Sequence, residues 1–306
     1  MRTPVLFSAT VLIWGTTWIA ISAQVGGAPV MVSIFYRFAS AGILMIAGLA
    51  ILNRLRRPAA WRFVIIQAVC LFCLNFVGLY NAAASIPSGL VSVIFSLASI
   101  FNAVNARIFF GDRVSPRAVF AGVLGVAGLT LMFWTDLAVS LDGDVLRGVC
   151  WAVFGTVVFS LGNMASRKNT SLGVTPVTAN AWGMGIGALA VLALMGATGE
   201  RLVVPSGDLY WSAMAYLSVV GSVAGFTAYL VLVGRMGSAG AGYATVLFPI
   251  VALTASTILE GYNWTPTAAL GVGLACLGNV VMFGNLKALK RVSRHCRDPR
   301  EAEHRA

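Results

Sequence analysis

The chain carries almost no acid inside its apolar stretches. Only ten of its 306 residues are Asp or Glu, and none lies near the middle of a hydrophobic run; Asp112 and Glu260 fall at run ends. The only histidines, His295 and His304, belong to the polar C-terminal tail. Proton relays at membrane depth normally use such groups, so a built-in carboxylate pump is not expected. An intramembrane enzyme would need a nucleophile with its base, or a metal-ligand cluster, and the runs supply neither. No GxxxxGK[ST] phosphate loop occurs, which argues against ATP-driven chemistry. The five cysteines (Cys70, Cys73, Cys150, Cys276, Cys296) are an odd number and sit mostly within runs. Cys70 and Cys73 have CxxC spacing but no further thiol or histidine beside them, so they read as ordinary buried thiols. No cofactor or metal is expected.

Apolar sequence is what the chain has in abundance: 58% hydrophobic residues against 10% charged. A helix needs about 20 apolar residues to cross a bilayer. Such stretches are read at 4–24, 29–52, 62–82, 88–110, 115–134, 147–167, 175–197, 209–234, 239–260 and 266–286. The first is too long for a signal peptide and has a counterpart in the second half, so it reads as a retained helix. The net charge of +11 could suggest nucleic acid, but 18 of the 21 basic residues fall in alternate loops and the tail. That bias orients membrane proteins and predicts cytoplasmic N- and C-termini in a plasma membrane, a bacterial inner membrane. The expected partners are the bilayer and a small solute rather than nucleic acid.

The two halves repeat each other. A slide of 147 residues superimposes Gly15 on Gly162, Gly26 on Gly173 and Pro29 on Pro176. A slide of 150 superimposes Trp61 on Trp211, Ser88 on Ser238, Gly111 on Gly261, Pro116 on Pro266 and Gly128 on Gly278. Five spans per half is an odd number, so the second copy enters the membrane with opposite orientation. The expected fold is an all-α integral membrane protein of ten transmembrane helices in two inverted five-helix repeats, residues 1–134 and 135–286, followed by a basic tail, 287–306. Inverted repeats recur in secondary transporters, where they give alternating access. A single chain that already holds the pseudo-twofold is expected to work as a monomer. The small-residue stripes Ala121, Gly122, Gly125, Gly128 and Gly271, Gly273, Ala275, Gly278 are expected to pack within the chain.

Few polar groups remain at membrane depth. Arg37 lies about 12 Å into the second span at 1.5 Å per residue, and its repeat mate is Met184. It could clamp a substrate carboxylate with its planar fork, or serve as a structural cation bonded to carbonyls. Asn75, Asn102 and Asn163 can hold a zwitterion through paired donors and acceptors, or simply join helices. Trp14 and Trp18, four apart on one helix face, together with Tyr80, Phe159, Trp182 and Tyr243, could line a pocket for an aromatic or apolar side chain. Packing is the competing role for each ring. Pro249, mid-span, is a static kink or a hinge.

Several motifs carry a family resemblance: Trp14-Gly15-Thr16-Thr17-Trp18, Pro29 followed by Tyr36-Arg37-Phe38, and Ala84-Ser85-Ile86-Pro87-Ser88-Gly89. Phe110-Gly111-Asp112-Arg113-Val114-Ser115-Pro116, Phe248-Pro249 and Leu259-Glu260-Gly261 complete the set. Together they resemble the EamA-type drug/metabolite transporters, with Asp112 where that pattern usually has Glu. The resemblance implies ten helices, alternating access and export of small metabolites, most of all amino acids including aromatic ones. A nucleotide-sugar, sugar or drug-like solute is the alternative within that class, although phosphates would call for more cavity cations than Arg37. A membrane receptor or structural protein is the alternative outside it.

Overall fold

The computed structural model describes residues 3–134, 143–229 and 244–283. Among them no strand forms, and ten helical segments follow in chain order: α1 Thr3–Ser22, α2 Val30–Ile51, α3 Trp61–Ala83, α4 Ser88–Phe110, α5 Pro116–Met132, α6 Gly143–Ser171, α7 Pro176–Thr198, α8 Asp208–Tyr229, α9 Ala244–Leu259 and α10 Pro266–Phe283. Within the described residues, α1–α4 and α6–α8 are the seven helices long and apolar enough to cross a membrane; α5, α9 and α10 are shorter apolar helices. The helix α6 is longer than its apolar run, starting four residues before and ending four after the expected 147–167.

The repeated glycines and prolines are the residues that stop and start helices. Gly26 and Gly173 both have left-handed backbone (φ +83° and +79°), as do Gly111 and Gly261 (φ +72° and +67°). A residue without Cβ takes that conformation at no steric cost and ends a helix there. Pro29 immediately precedes α2, and Pro116, Pro176 and Pro266 are the first residues of α5, α7 and α10, where a missing N–H costs nothing. The chain turns at Ala84–Ile86 between α3 and α4, and Pro87 immediately precedes α4.

Two helices are not regular. The helix α3 contains a π-helical segment, Cys70–Leu74, and α8 contains one at Tyr216–Ala224. The 147-residue slide carries positions 70–74 onto 217–221, inside the second segment. A turn at Leu97 divides α4 into Ser88–Ser96 and Ala98–Phe110.

Close packing depends on small residues, because lipid offers no hydrophobic force between helices. The backbones of α5 and α10 touch: a Cβ on Gly128 would lie 2.6 Å from the Gly271 carbonyl, and one on Gly271 would lie 2.6 Å from the Met132 nitrogen. The expectation that these stripes pack within the chain is met at Gly125, Gly128, Gly271 and Gly278 but not at Gly273, with a division of labour. Gly125 turns toward Leu97 of α4, whereas Gly278 sits on the Ala121 carbonyl. The pair α2 and α7 approaches equally closely at Gly42 and Gly185. Further contacts join α1 to α9, α4 to α9, α4 to α6, α3 to α6 and α7, and α8 to α1 and α2. Two buried apolar clusters result, one around Trp18, Phe95 and Phe248 and one around Phe38, Phe72 and Met184.

Gly128→Leu drives a side chain into the α10 backbone, which must move. Overpacking of this kind costs about 1–3 kcal/mol or more. The variant is expected to lower the unfolding midpoint in detergent, followed by size-exclusion after heating, while Gly273→Leu, whose Cβ meets no neighbouring atom within 4 Å, leaves it nearly unchanged.

Candidate functional site

The two clusters meet around a cavity of about 50 Å³ to which seven helices contribute. Its apolar wall is aromatic. Trp18 of α1 packs against Phe95 of α4 (ring centroids 5.4 Å apart) and Phe248 of α9 (6.2 Å), and Phe95 continues to Phe159 of α6 (4.7 Å). At the other side Trp14 lies against Phe226 (5.4 Å) and Tyr229 (4.7 Å) of α8. Gly221 lets α8 come this close, since a Cβ there would stand 2.8 Å from the Thr17 methyl. The space holds only a few waters. A solute the size of an amino acid enters only if the wall moves.

One corner is polar. Arg37 is 2% exposed, and no carboxylate meets it among the described residues. Its Nε donates to Ser222 Oγ (3.1 Å), and its guanidinium carbon lies 4.5 Å from the Phe76 ring centroid and 5.3 Å from that of Phe38. Its Nη1 has no hydrogen-bond partner. A cation over aromatic faces gains some electrostatic compensation, but far less than a carboxylate would give. Asn75, also 2% exposed, donates through Nδ2 to the Leu71 carbonyl (3.3 Å), and its Oδ1 is unpartnered. Both residues line the cavity. Arg37 and Asn75 thus each keep one buried polar atom without a hydrogen-bond partner among the described residues. Both Asn75 and Ser222 belong to the π-interrupted helices, and the 147-residue slide superimposes them.

Of the residues singled out in the sequence, Trp14, Trp18, Arg37, Asn75 and Phe159 come together here. Tyr80 does not reach the wall; it is packed in the α2–α3–α7 cluster, and its hydroxyl donates to Gln24 Oε1 (2.9 Å). Asn102 and Asn163 lie outside the cavity and satisfy each other, Asn163 Nδ2 donating to Asn102 Oδ1 (3.2 Å). Trp182 also lies outside it: its indole N–H donates to the Arg56 carbonyl (2.9 Å) and its ring packs on Trp61, the position of an interfacial anchor. Tyr243 falls outside the described residues. Pro249 lies inside α9, directly after the cavity residue Phe248. Thr17, within the Trp14–Trp18 motif, also lines the cavity, and Ile21, Phe76, Leu79, Phe95 and Gly221 do so without a signal in the sequence beyond their place in apolar runs.

The EamA-like transporter family model matches residues 1–134 and 146–284. The chain belongs to the EamA-like transporter family. It is 24% identical over 290 residues to the uncharacterized transporter YvbV of Bacillus subtilis, covering 94% of this chain and 92% of the relative. It is 25% identical over 287 residues to the uncharacterized inner membrane transporter YedA of Escherichia coli K12, covering 90% and 88%. Protein PagO of Salmonella typhimurium is 22% identical over 264 residues, covering 84% of this chain and 85% of its own. A protein of known crystal structure shares the fold at a TM-score of 0.65 and 18% identity, covering 91% of this chain and 95% of that one. This EamA protein is thus a multi-pass membrane protein, and its relatives point to transport rather than catalysis.

Each end of the transporter is tied across its two halves by one carboxylate. At one end Asp112, just beyond α4, accepts two hydrogen bonds from Arg167 of α6 (2.6 and 3.2 Å). At the other, Glu260, just beyond α9, accepts from the Ser88 backbone N–H at the start of α4 (3.0 Å to Oε2) and from the Ser256 hydroxyl. A carboxylate at a helix N-terminus satisfies an orphan donor and meets the positive end of the helix dipole.

Hydrogen bonding from Arg167 holds the Asp112 carboxyl below its ordinary range. The stability this adds is complete above the unfolded value near 4 and is lost as pH falls through the lower folded value. The pair is about half exposed, so the effect is screened and small. Thermal midpoints between pH 6 and 3 should decline more steeply for the wild type than for Asp112→Asn; parallel curves would show that the pair adds nothing.

Proposed function

We propose that this protein is a secondary transporter that exports small metabolites, amino acids with aromatic or apolar side chains foremost, by alternating access between two inverted five-helix repeats. One observation carries the substrate reading: Arg37 and Asn75, which both line one aromatic-walled cavity, each keep a buried polar atom without a hydrogen-bond partner. A substrate carboxylate would accept from Arg37, an α-ammonium would donate to Asn75, and the side chain would lie against Trp14, Trp18 and Phe159. Binding of this kind completes groups that folding leaves incomplete, which favours solutes carrying both charges.

The packing pattern supports the repeat. Exchanging α1–α5 with α6–α10 maps α2–α7, α4–α9 and α5–α10 onto themselves, and maps α1–α9 onto α4–α6, α3–α6 onto α1–α8 and α3–α7 onto α2–α8, all of them packed pairs. The family model likewise matches in two stretches, one on each half. Charge supports N- and C-termini in the cytoplasm: Arg54, Arg56, Arg57, Arg62, Arg107, Arg113, Arg117, Arg167 and Lys168 belong to one end with Asp112, and Asp144, Glu200, Asp208 and Glu260 to the other with Arg147 and Arg201. With no acid within the cavity wall, facilitated export or exchange fits better than carboxylate-driven proton coupling. A single chain suffices as the working unit.

Purified protein in liposomes loaded with labelled phenylalanine, leucine or glutamate should release the apolar amino acids faster than glutamate. Arg37→Lys is expected to cut that flux by about tenfold, the loss of a charge-assisted fork, and Trp14→Ala should lower the rate for phenylalanine more than for leucine. No flux of any amino acid rejects the substrate, and full flux in Arg37→Lys rejects the clamp.

A further inference from the structure

A second concave site lies on the surface where α3, α4 and α6 meet at the basic end. It is a groove of about 450 Å³, floored by Phe63 and Ile66 of α3, Phe109 and Phe110 of α4, and Leu161 and Met164 of α6. Phe109 is 59% exposed and Ile66 46%, so its walls await apolar cover.

Its rim is cationic. Lys168 lines the groove directly and is exposed. Arg62 reaches over the Phe63 ring (4.7 Å to the centroid), which brings its guanidinium to the same edge. Arg167 lies over Phe110 (4.2 Å) but is spent on Asp112. Neither Lys168 nor Arg62 has a carboxylate partner among the described residues, and Asp112 is the single described acid at this end. A neighbouring apolar groove between α4 and α5, about 600 Å³ and lined by residues such as Ile100, Val104 and Val123, has no charged residue in its lining. The two grooves thus offer similar cover to an acyl chain and differ in what meets its headgroup.

We propose that the α3–α4–α6 groove is a binding site for one anionic phospholipid, its acyl chain on the Phe63–Phe109–Leu161 floor and its phosphate between Arg62 and Lys168. Charge complementarity decides the occupant. A zwitterionic lipid brings a compensating cation against a rim that already has two, whereas a phosphatidylglycerol-type headgroup brings net negative charge alone. Basic residues next to a membrane surface attract anionic lipid, and each adds to the preference. The lipid would lie against the three helices whose ends the Asp112–Arg167 pair and the groove hold together. The proposal depends on the membrane location and not on the exported solute.

Native mass spectrometry of the detergent-purified protein, titrated with dioleoyl phosphatidylglycerol or dioleoyl phosphatidylcholine, tests it. The first phosphatidylglycerol is expected to bind about tenfold more tightly. Arg62→Gln with Lys168→Gln, both exposed positions, should abolish that preference while leaving chain-dependent binding of both lipids. Arg113→Gln, at the same end but outside the groove, should leave it intact. Equal affinity for the two lipids, or a preference that survives the double variant, overturns the site. Inorganic phosphate at the same concentration should not displace the lipid; displacement would make the rim a free-anion site instead. Circular dichroism of the double variant separates loss of binding from loss of fold.

Discussion

A guanidinium kept from water without a carboxylate is the constraint around which the interior is arranged. Desolvating such a charge is expensive, and removing its neighbours would leave it worse off. Arg37 is accordingly held by a hydroxyl from α8 and by ring faces from its own helix and α3. Those contacts help fix where α8 crosses α2, and Gly221 lets α8 close on Thr17 of α1. The same arrangement leaves one donor of the fork unused, and Asn75, which lines the same cavity, keeps an unused amide oxygen. The interior therefore keeps two buried polar atoms unpaired among the described residues.

Most of the architecture could be read from the residues. Helix boundaries fell where glycine and proline put them, because left-handed backbone and a missing N–H leave local, readable signatures. Trp14 and Trp18 faced the same cavity because i and i+4 share a helix face. The aromatic wall was only half legible. Phe76 and Phe95 are indistinguishable in sequence from Phe109 or Phe120, which are exposed, since in a membrane helix the lipid face and the core face are equally apolar. Polar groups misled in the other direction. Asn102, Asn163 and Tyr80 are polar groups like Asn75, but a partner elsewhere in the fold already bonds each of them. Partner choice is a tertiary fact, and spacing along one helix does not encode it.

The ties at the two ends differ in surroundings. Asp112 and Arg167 are about half exposed, so water competes for their contact. Glu260 lies in a partly buried setting and uses both a backbone N–H and a hydroxyl. The two ties also differ in kind: one is an ion pair and the other a helix cap.

The π segments of α3 and α8 have a mechanical consequence. Each is a register defect, a surplus residue stored in a helix whose hydrogen bonds are otherwise complete. Such a surplus can migrate along its helix as a dislocation moves through a crystal, one bond exchanged at a time, turning the part it passes. In hydrocarbon, where an unmet N–H or carbonyl costs several kcal/mol, that is a cheaper way to swing Asn75 or Ser222 than unwinding a turn. Two of the three helices that form the polar corner thus each carry such a defect.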